Sequence, residues 1–136
     1  MSVPELHHGD TAYRFDFATL GDLHRVGPKR DQALRLRPAS DWRFISECPE
    51  AFEDFPCAFF VLDPHDEAVC SGAAYPDRVH TKADSMRWLW FGALATAPSH
   101  RRRGLATFLE AQAARVCHNR GIPWASMFSA RASMAI

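Results

Sequence analysis

The chain lacks three features that would each assign it to a class at once: a long apolar segment, an excess of charge of one sign, and paired cysteines. No run among its 136 residues approaches the ~20 apolar residues of a membrane-spanning helix. Sixteen Lys and Arg balance sixteen Asp and Glu, so the net charge is zero and predicts no general attraction to nucleic acid or acidic membranes. The four cysteines, at positions 48, 57, 70 and 117, form no Cys-x-x-Cys pair, which argues against a disulfide framework or a zinc site.

The N-terminal segment also lacks the charged-then-apolar order of a secretory signal. Together with scattered thiols, this predicts a cytoplasmic protein. The length and the 47% apolar content predict one domain over residues 1–136, with residues 1–11 as a loose leader because they show no periodic pattern. His7 and His8 have no nearby cluster of carboxylates or cysteines, so no metal site is predicted.

Patterns in the first third of the chain predict one strand and three short helices. Tyr13–Phe17 alternates apolar and polar side chains, as a half-buried strand does. Thr19 and Asp22 have the spacing of a capping box at a helix start, and Gly27–Pro28 ends that helix. Two further helical segments are predicted, over residues 31–36 and from Pro38 to near Pro49.

The rest of the chain predicts four strands and one long helix. The predicted elements are a strand over 57–62, a turn over 63–67, a strand over 68–74, a polar loop over 75–85, a strand over 87–95, an amphipathic helix over 105–120 and a strand over 124–128. This order predicts an α/β (α+β) domain with a mixed, mostly antiparallel central sheet, flanking helices and one right-handed crossover between parallel strands.

The segment between the last long predicted strand and the long predicted helix contains the residues that indicate a binding site. An apolar run ends near Pro98, three arginines (Arg101–Arg103) and Gly104 follow, and a helix begins. The first turn of a helix has unpaired N–H groups and a partial positive charge, and glycine lets the backbone approach a ligand closely. This combination predicts a phosphate-binding turn.

The spacing Arg101-x-x-Gly104-x-Ala106 resembles the coenzyme-A motif of the GNAT superfamily of acyl-CoA-dependent N-acetyltransferases, Arg/Gln-x-x-Gly-x-Gly/Ala. No Gly-Lys-Ser/Thr follows, and the other glycines of a dinucleotide fingerprint are absent. The preceding strand, Pro98 and the segment 121–128, which resembles the family's fifth strand, extend the similarity. The resemblance implies an acyl-CoA N-acyltransferase-like fold.

The resemblance also implies a cofactor site for acetyl-CoA, used as cosubstrate without a metal. The pantetheine arm would pair with the backbone of a splayed strand, and the pyrophosphate would rest on N–H groups of the turn and helix start. The residues carried over are Leu94, Ala95, Thr96, Arg101, Arg102, Arg103, Gly104, Leu105, Ala106 and Thr107. A solvated basic turn is the plainer alternative. Nucleic-acid binding is not predicted, because no aromatic residues interleave the arginines.

The implied reaction moves an acetyl group from the thioester to a primary amine of a small molecule or peptide. The catalytic residues stay unassigned: Asp77, His80 and Asp84 are candidate bases, but a His or Asp in such a loop is more often simply solvated. Trp88 and Trp90 share one face of a strand, which sheet packing or an aromatic acceptor pocket would explain.

The family pattern continues with a helix that carries a general-acid Tyr and then two more strands, whereas this chain stops at Ile136. We therefore expect a C-terminally incomplete domain with no general acid to carry over. The abrupt stop favours truncation, while a degenerate domain and completion by a partner chain, including a homodimer, are left open. The alternative function is a non-catalytic acyl-CoA-binding or interaction module; neither nucleic acid nor membrane is expected as a partner.

Overall fold

The computed structural model describes residues 4–25, 27–36 and 52–126. Within these ranges six strands form one sheet in chain order, and neighbouring strands are antiparallel except for β5 and β6, which are parallel. The strands are β1 (Glu5–His8), β2 (Thr11–Thr19), β3 (Pro56–Leu62), β4 (Ala68–His80), β5 (Ser85–Thr96) and β6 (Trp124–Ser126). The helices are α1 (Leu20–His24), α2 (Pro28–Leu36) and α3 (Leu105–Asn119), with a short 3-10 helix at Pro98–His100. The predicted mixed, mostly antiparallel sheet is confirmed.

The predicted capping box starts α1. The Thr19 hydroxyl accepts from the Asp22 backbone N–H at 3.1 Å, and the Asp22 carboxylate accepts from the Thr19 N–H at 2.9 Å. Helix α2 begins at Pro28, three residues before the predicted start at Asp31. The helix predicted from Pro38 to near Pro49 lies outside the described residues.

The loose leader predicted over residues 1–11 is wrong where the chain is described. Glu5–His8 form β1, which pairs with β2 through a tight turn in which Gly9 has a φ of +59°. The strand is polar and mostly exposed, and only Leu6 packs against the core. Main-chain pairing therefore stabilises β1, and such pairing leaves no hydrophobic period in the sequence.

The polar loop predicted over residues 75–85 is also wrong, because β4 and β5 continue as a long hairpin. The pairing runs from Tyr75 with Trp90 out to His80 with Ser85, and only residues 81–84 form the turn. The Thr81 N–H donates to the Asp84 carbonyl at 2.7 Å and closes it. The hairpin extends beyond the core, so its side chains can be polar while its main chain stays paired.

Helix α3 packs against the face of the sheet that carries the aromatic core. Its buried residues are Leu105, Leu109, Ala113 and Cys117, the positions expected from an amphipathic helix. The helix lies close to β4 at Gly72, where a Cβ atom would lie 3.0 Å from Phe91 Cζ and 3.2 Å from Leu109 Cδ2. Burial raises the pKa of the Cys117 thiol to about 11, so this core cysteine stays protonated at neutral pH.

None of the helices in the described ranges has the length and hydropathy needed to cross a membrane.

The capping box predicts a pH-dependent contribution to stability. Burial opposes ionisation of Asp22, but the hydrogen bonds from Thr19 and the charges of Lys29 and Arg25 together hold the pKa of this carboxyl below its usual value of 3.8. A lowered folded pKa stabilises the fold above pH 3.8, and that stabilisation is lost as the pH falls through the folded value. We expect Asp22→Asn to lower the free energy of unfolding by about 0.5–1 kcal/mol at pH 7.

Urea denaturation of both proteins at several pH values measures this difference. The difference should shrink below pH 3.8, because the wild-type carboxyl is then being protonated. A difference that stays constant down to about pH 2 would contradict the assignment.

Candidate functional site

The site begins on β5, at the point where its pairing with β6 ends. Only Leu89, Trp90 and Phe91 pair with β6, opposite Trp124, Ala125 and Ser126. Among the described residues, positions 92–96 of β5 pair with β4 alone. Their outer edge therefore presents main-chain N–H and C=O groups without a described strand partner, and an extended ligand can pair with such an edge.

A β-bulge bends β5 within this open segment. Ser71 pairs with Ala95 and Ala73 pairs with Gly92, so two residues of β5 lie opposite Gly72 alone. A bulge increases the local twist and redirects the strand. The bend lies at the strand segment that was predicted to bind pantetheine. There Leu94 packs partly against the core, Ala95 is exposed, and Thr96 donates its hydroxyl to Cys70 Sγ at 3.4 Å.

The turn that follows β5 contains two residues in the left-handed region. Arg102 has a φ of +64° and Gly104 a φ of +77°. A Cβ at Gly104 would meet no protein atom within 4 Å, so the backbone conformation, and not lack of space, is what favours glycine there. Left-handed residues in a turn direct successive N–H groups toward one point, which creates an anion-binding concavity.

The N-terminus of α3 completes this concavity. The first intrahelical bond runs from the Phe108 N–H to the Gly104 carbonyl at 3.0 Å, so the N–H groups of residues 105–107 have no intrahelical acceptor. Gly104, as N-cap, supplies no side chain to accept from them. These groups and the helix dipole favour a bound anion.

A cavity of about 130 Å³ lies at this helix terminus. Its lining residues are Thr96, His100, Arg101, Arg102, Gly104, Leu105, Ala106 and Thr107. The structure thus brings together seven of the ten residues carried over from the motif. Ala95 and Thr96 line an adjoining cavity of about 260 Å³, while neither Leu94 nor Arg103 lines either one.

Arg103 is turned toward the core by a contact that the sequence does not reveal. Its Nη1 donates to the Tyr13 hydroxyl at 2.6 Å, and that hydroxyl also lies 2.8 Å from His100 Nδ1. Tyr13 is fully buried on β2. The alternation of Tyr13–Phe17 placed Tyr13 on the strand, but nothing local in the sequence connects it with a turn 87 residues away.

The three candidate bases lie on the hairpin of β4 and β5. His80 and Asp84 are at its tip; Asp84 precedes Leu94 by ten residues, which is about 33 Å along an extended strand. Both are therefore remote from the open edge. Asp77 lies closer, pairs with Trp88 in register, and accepts from Trp90 Nε1 at 3.0 Å and from the Arg78 N–H at 2.8 Å.

The two tryptophans lie on the face of β5 opposite α3. Their ring centroids are 5.9 Å apart. The Trp88 Nε1 atom is buried and has no hydrogen-bond partner in the described part of the chain. Sheet packing explains the ring contact but leaves this donor unsatisfied.

A family model described as an acetyltransferase (GNAT) domain matches residues 35–135. Among solved structures, a GCN5-related N-acetyltransferase from Kribbella flavida superimposes with a TM-score of 0.58 and 17% identity; the match covers 90% of this chain but only 31% of that protein. No curated protein sequence matches the chain.

Two aminoglycoside acetyltransferases also superimpose along most of their length. AAC(6')-Iy, solved in complex with CoA, has a TM-score of 0.58 and 19% identity, with 96% of this chain and 86% of that protein covered. An enzyme from an uncultured soil metagenomic sample, solved with sisomicin, has a TM-score of 0.55 and 14% identity, with 90% and 82% covered. Because these sequence identities are below 20%, the similarity to the two enzymes shows a shared fold only.

The family match covers well over half of the chain and includes the whole Arg101-x-x-Gly104-x-Ala106 segment. The sheet order and the crossover through α3 agree with the fold that the resemblance implies. The chain therefore belongs to the GNAT family of N-acetyltransferases.

Proposed function

We propose that this domain transfers the acetyl group of acetyl-CoA to a primary amine of a small molecule or peptide. The observation that carries the proposal is the junction of an open strand edge with an anion-binding turn. Thr96 belongs to both, because it ends the open segment of β5 and lines the cavity at the start of α3. A cosubstrate with an extended amide-containing arm and a pyrophosphate matches this junction in shape and charge.

The pyrophosphate end would bind at the turn and at the first turn of α3. The N–H groups of residues 102–107 supply donors there, and the helix dipole adds a favourable potential. Arg101 and Arg102 are exposed beside the cavity and can add charge-assisted contacts to the phosphates. For Arg103, whose guanidinium contacts Tyr13, the proposal retains only the backbone N–H.

The pantetheine arm would pair with the open edge of β5 at Leu94, Ala95 and Thr96. Its two amide groups can exchange hydrogen bonds with a strand edge as an added strand does. A backbone N–H at the bulge could then donate to the thioester carbonyl. Such a fixed donor stabilises the oxyanion that forms when an amine attacks.

In the proposed reaction, an uncharged amine nitrogen attacks the carbonyl carbon, and the resulting tetrahedral intermediate collapses by expelling the thiolate. A C–N bond forms, a C–S bond breaks, and the proton that the amine loses ends on the thiolate, so that the products are an amide and a thiol. We assign neither the base nor the acid: His80 and Asp84 are too remote, and the Asp77 carboxylate accepts two hydrogen bonds within the hairpin. Asp77 and the two tryptophans nevertheless share one face of the β4–β5 hairpin.

The geometry of the turn predicts that Gly104→Val weakens CoA binding. A β-branched residue is strongly disfavoured at a φ of +77°, so the turn must rearrange and its N–H groups lose their common direction. We expect the dissociation constant for CoA, measured by calorimetry, to rise at least about tenfold, a loss of about 1.4 kcal/mol.

Gly121→Val is the matched control. Gly121 has a φ of +66°, lies just past the other end of α3, and is likewise placed so that an added Cβ would meet no protein atom within 4 Å. It should produce comparable backbone strain without affecting the cavity. Equal affinity of both variants for CoA would contradict the placement of the pyrophosphate.

Acetyl transfer itself is tested by thiol release. With acetyl-CoA and a panel of primary amines, thiol should appear in step with amine acetylation, and the rate should rise with pH as the amine loses its proton. Binding of CoA without thiol release for any amine would support the non-catalytic acyl-CoA-binding module instead.

A further inference from the structure

Tyr13, His100 and Arg103 form a polar cluster between β2 and the turn that precedes α3. The Tyr13 hydroxyl lies 2.6 Å from Arg103 Nη1 and 2.8 Å from His100 Nδ1, and the Tyr13 and His100 rings meet edge to face at 5.8 Å. Tyr13 is fully buried, whereas His100 and Arg103 are partly exposed. Phosphate binding by backbone N–H groups does not require this cluster.

The chemistry of the three groups favours one placement of the protons. A guanidinium only donates, so the Tyr13 oxygen accepts from Arg103. The single hydroxyl proton can be donated to His100 Nδ1 when that nitrogen carries no proton, and this placement gives the hydroxyl, the guanidinium and Nδ1 each a partner. In this placement the ring proton of His100 is on Nε2.

A charged His100 would fit this arrangement poorly. Nδ1–H and Arg103 would then both donate to one buried oxygen, and the hydroxyl proton would have no acceptor within the cluster.

The remaining ring nitrogen of His100 is available to a ligand. His100 lines the cavity at the start of α3, and within the described ranges no residue forms a hydrogen bond with its Nε2 atom. With the proton on Nε2, the ring adds an N–H donor to a cavity that residues 105–107, with their unpaired N–H groups, also line. A phosphate oxygen is the acceptor that this set of donors favours.

We propose that Tyr13 is a positioning residue for CoA binding, which fixes His100 as an Nε2–H donor to the pyrophosphate. Arg103 takes part by donating to Tyr13, which explains why its side chain points away from the cavity. The inference rests on the proposed function, because it assumes that the cavity receives the CoA phosphates.

The tautomer of His100 can be measured without any ligand. In the ¹⁵N spectrum of the wild-type protein at about pH 7.5, where an ordinary imidazole is neutral, His100 should show a protonated Nε2 and an unprotonated Nδ1. In Tyr13→Phe the hydroxyl donor is gone, so the signals should shift toward a mixture of tautomers. A wild-type His100 with its proton on Nδ1, or with both nitrogens protonated, would overturn the inference.

The effect on binding is measured by calorimetric titration with CoA and with dephospho-CoA, which keeps the pyrophosphate. Tyr13→Phe should raise both dissociation constants about tenfold, as loss of a hydrogen bond in a partly buried network does. The control is Phe15→Leu, which alters the same strand and the same core but no polar contact in the cluster. It should leave both constants within about twofold.

The double variant separates positioning from general destabilisation. His100→Ala should weaken binding by a similar factor, and adding Tyr13→Phe to it should weaken binding no further, because Tyr13 acts through His100. Additive losses, or an unchanged constant in Tyr13→Phe, would overturn this inference while leaving the proposed function intact. A folded wild-type chain that does not bind CoA would overturn the proposed function, and this inference with it.

Discussion

A strand has two edges whose main-chain groups need partners, and β5 has a described strand on only one of them between residues 92 and 96. The other features of the site are arranged around this edge. The bulge opposite Gly72 redirects the open segment, and Thr96 leads it into the turn before α3. The close packing of α3 on β4 at Gly72 then fixes the helix terminus relative to the strand.

Positive charge in this protein is concentrated at the turn before α3. The whole chain has a net charge of zero, yet the turn combines three consecutive arginines with the N-terminus of α3. Arg102 and Gly104 both have a left-handed backbone, a conformation that can turn successive N–H groups toward a common anion. Strain of this kind at a non-glycine residue persists where the surrounding structure supports it, and the anchored helix and the Tyr13 contact provide that support.

Local patterns predicted much of the fold. The strand over Cys57–Leu62, the capping box at Thr19 and the amphipathic helix from Leu105 all follow from short-range periodicity or hydrogen bonding, and the structure confirms them. The two errors concern exposed strands, Glu5–His8 and the outer part of the hairpin beyond Tyr75. Hydrogen bonds between main-chain groups stabilise these two exposed strand segments. Their polar side chains show no alternating pattern from which the pairing could be predicted.

The candidate site also has a part that the sequence predicts and a part that it does not. The segment from Arg101 to Thr107 could be located from the sequence because its glycine, its arginines and the start of its helix are contiguous. The inward turn of Arg103 and the contact between Tyr13 and His100 depend on the way β2 packs beside the turn, across 87 residues of sequence. No short pattern contains that information. The continuation of the chain after Ser126 lies outside the described residues.

The central claim is that one extended cosubstrate lies along the open edge of β5 and reaches the start of α3. The most direct test is to map amide chemical shifts in the ¹⁵N-labelled protein during titration with CoA. We predict that the largest shifts fall at residues 94–96 and 102–107. Shifts confined to the turn would contradict pairing of pantetheine with the strand, and shifts confined to the tip of the β4–β5 hairpin would contradict the proposed site as a whole.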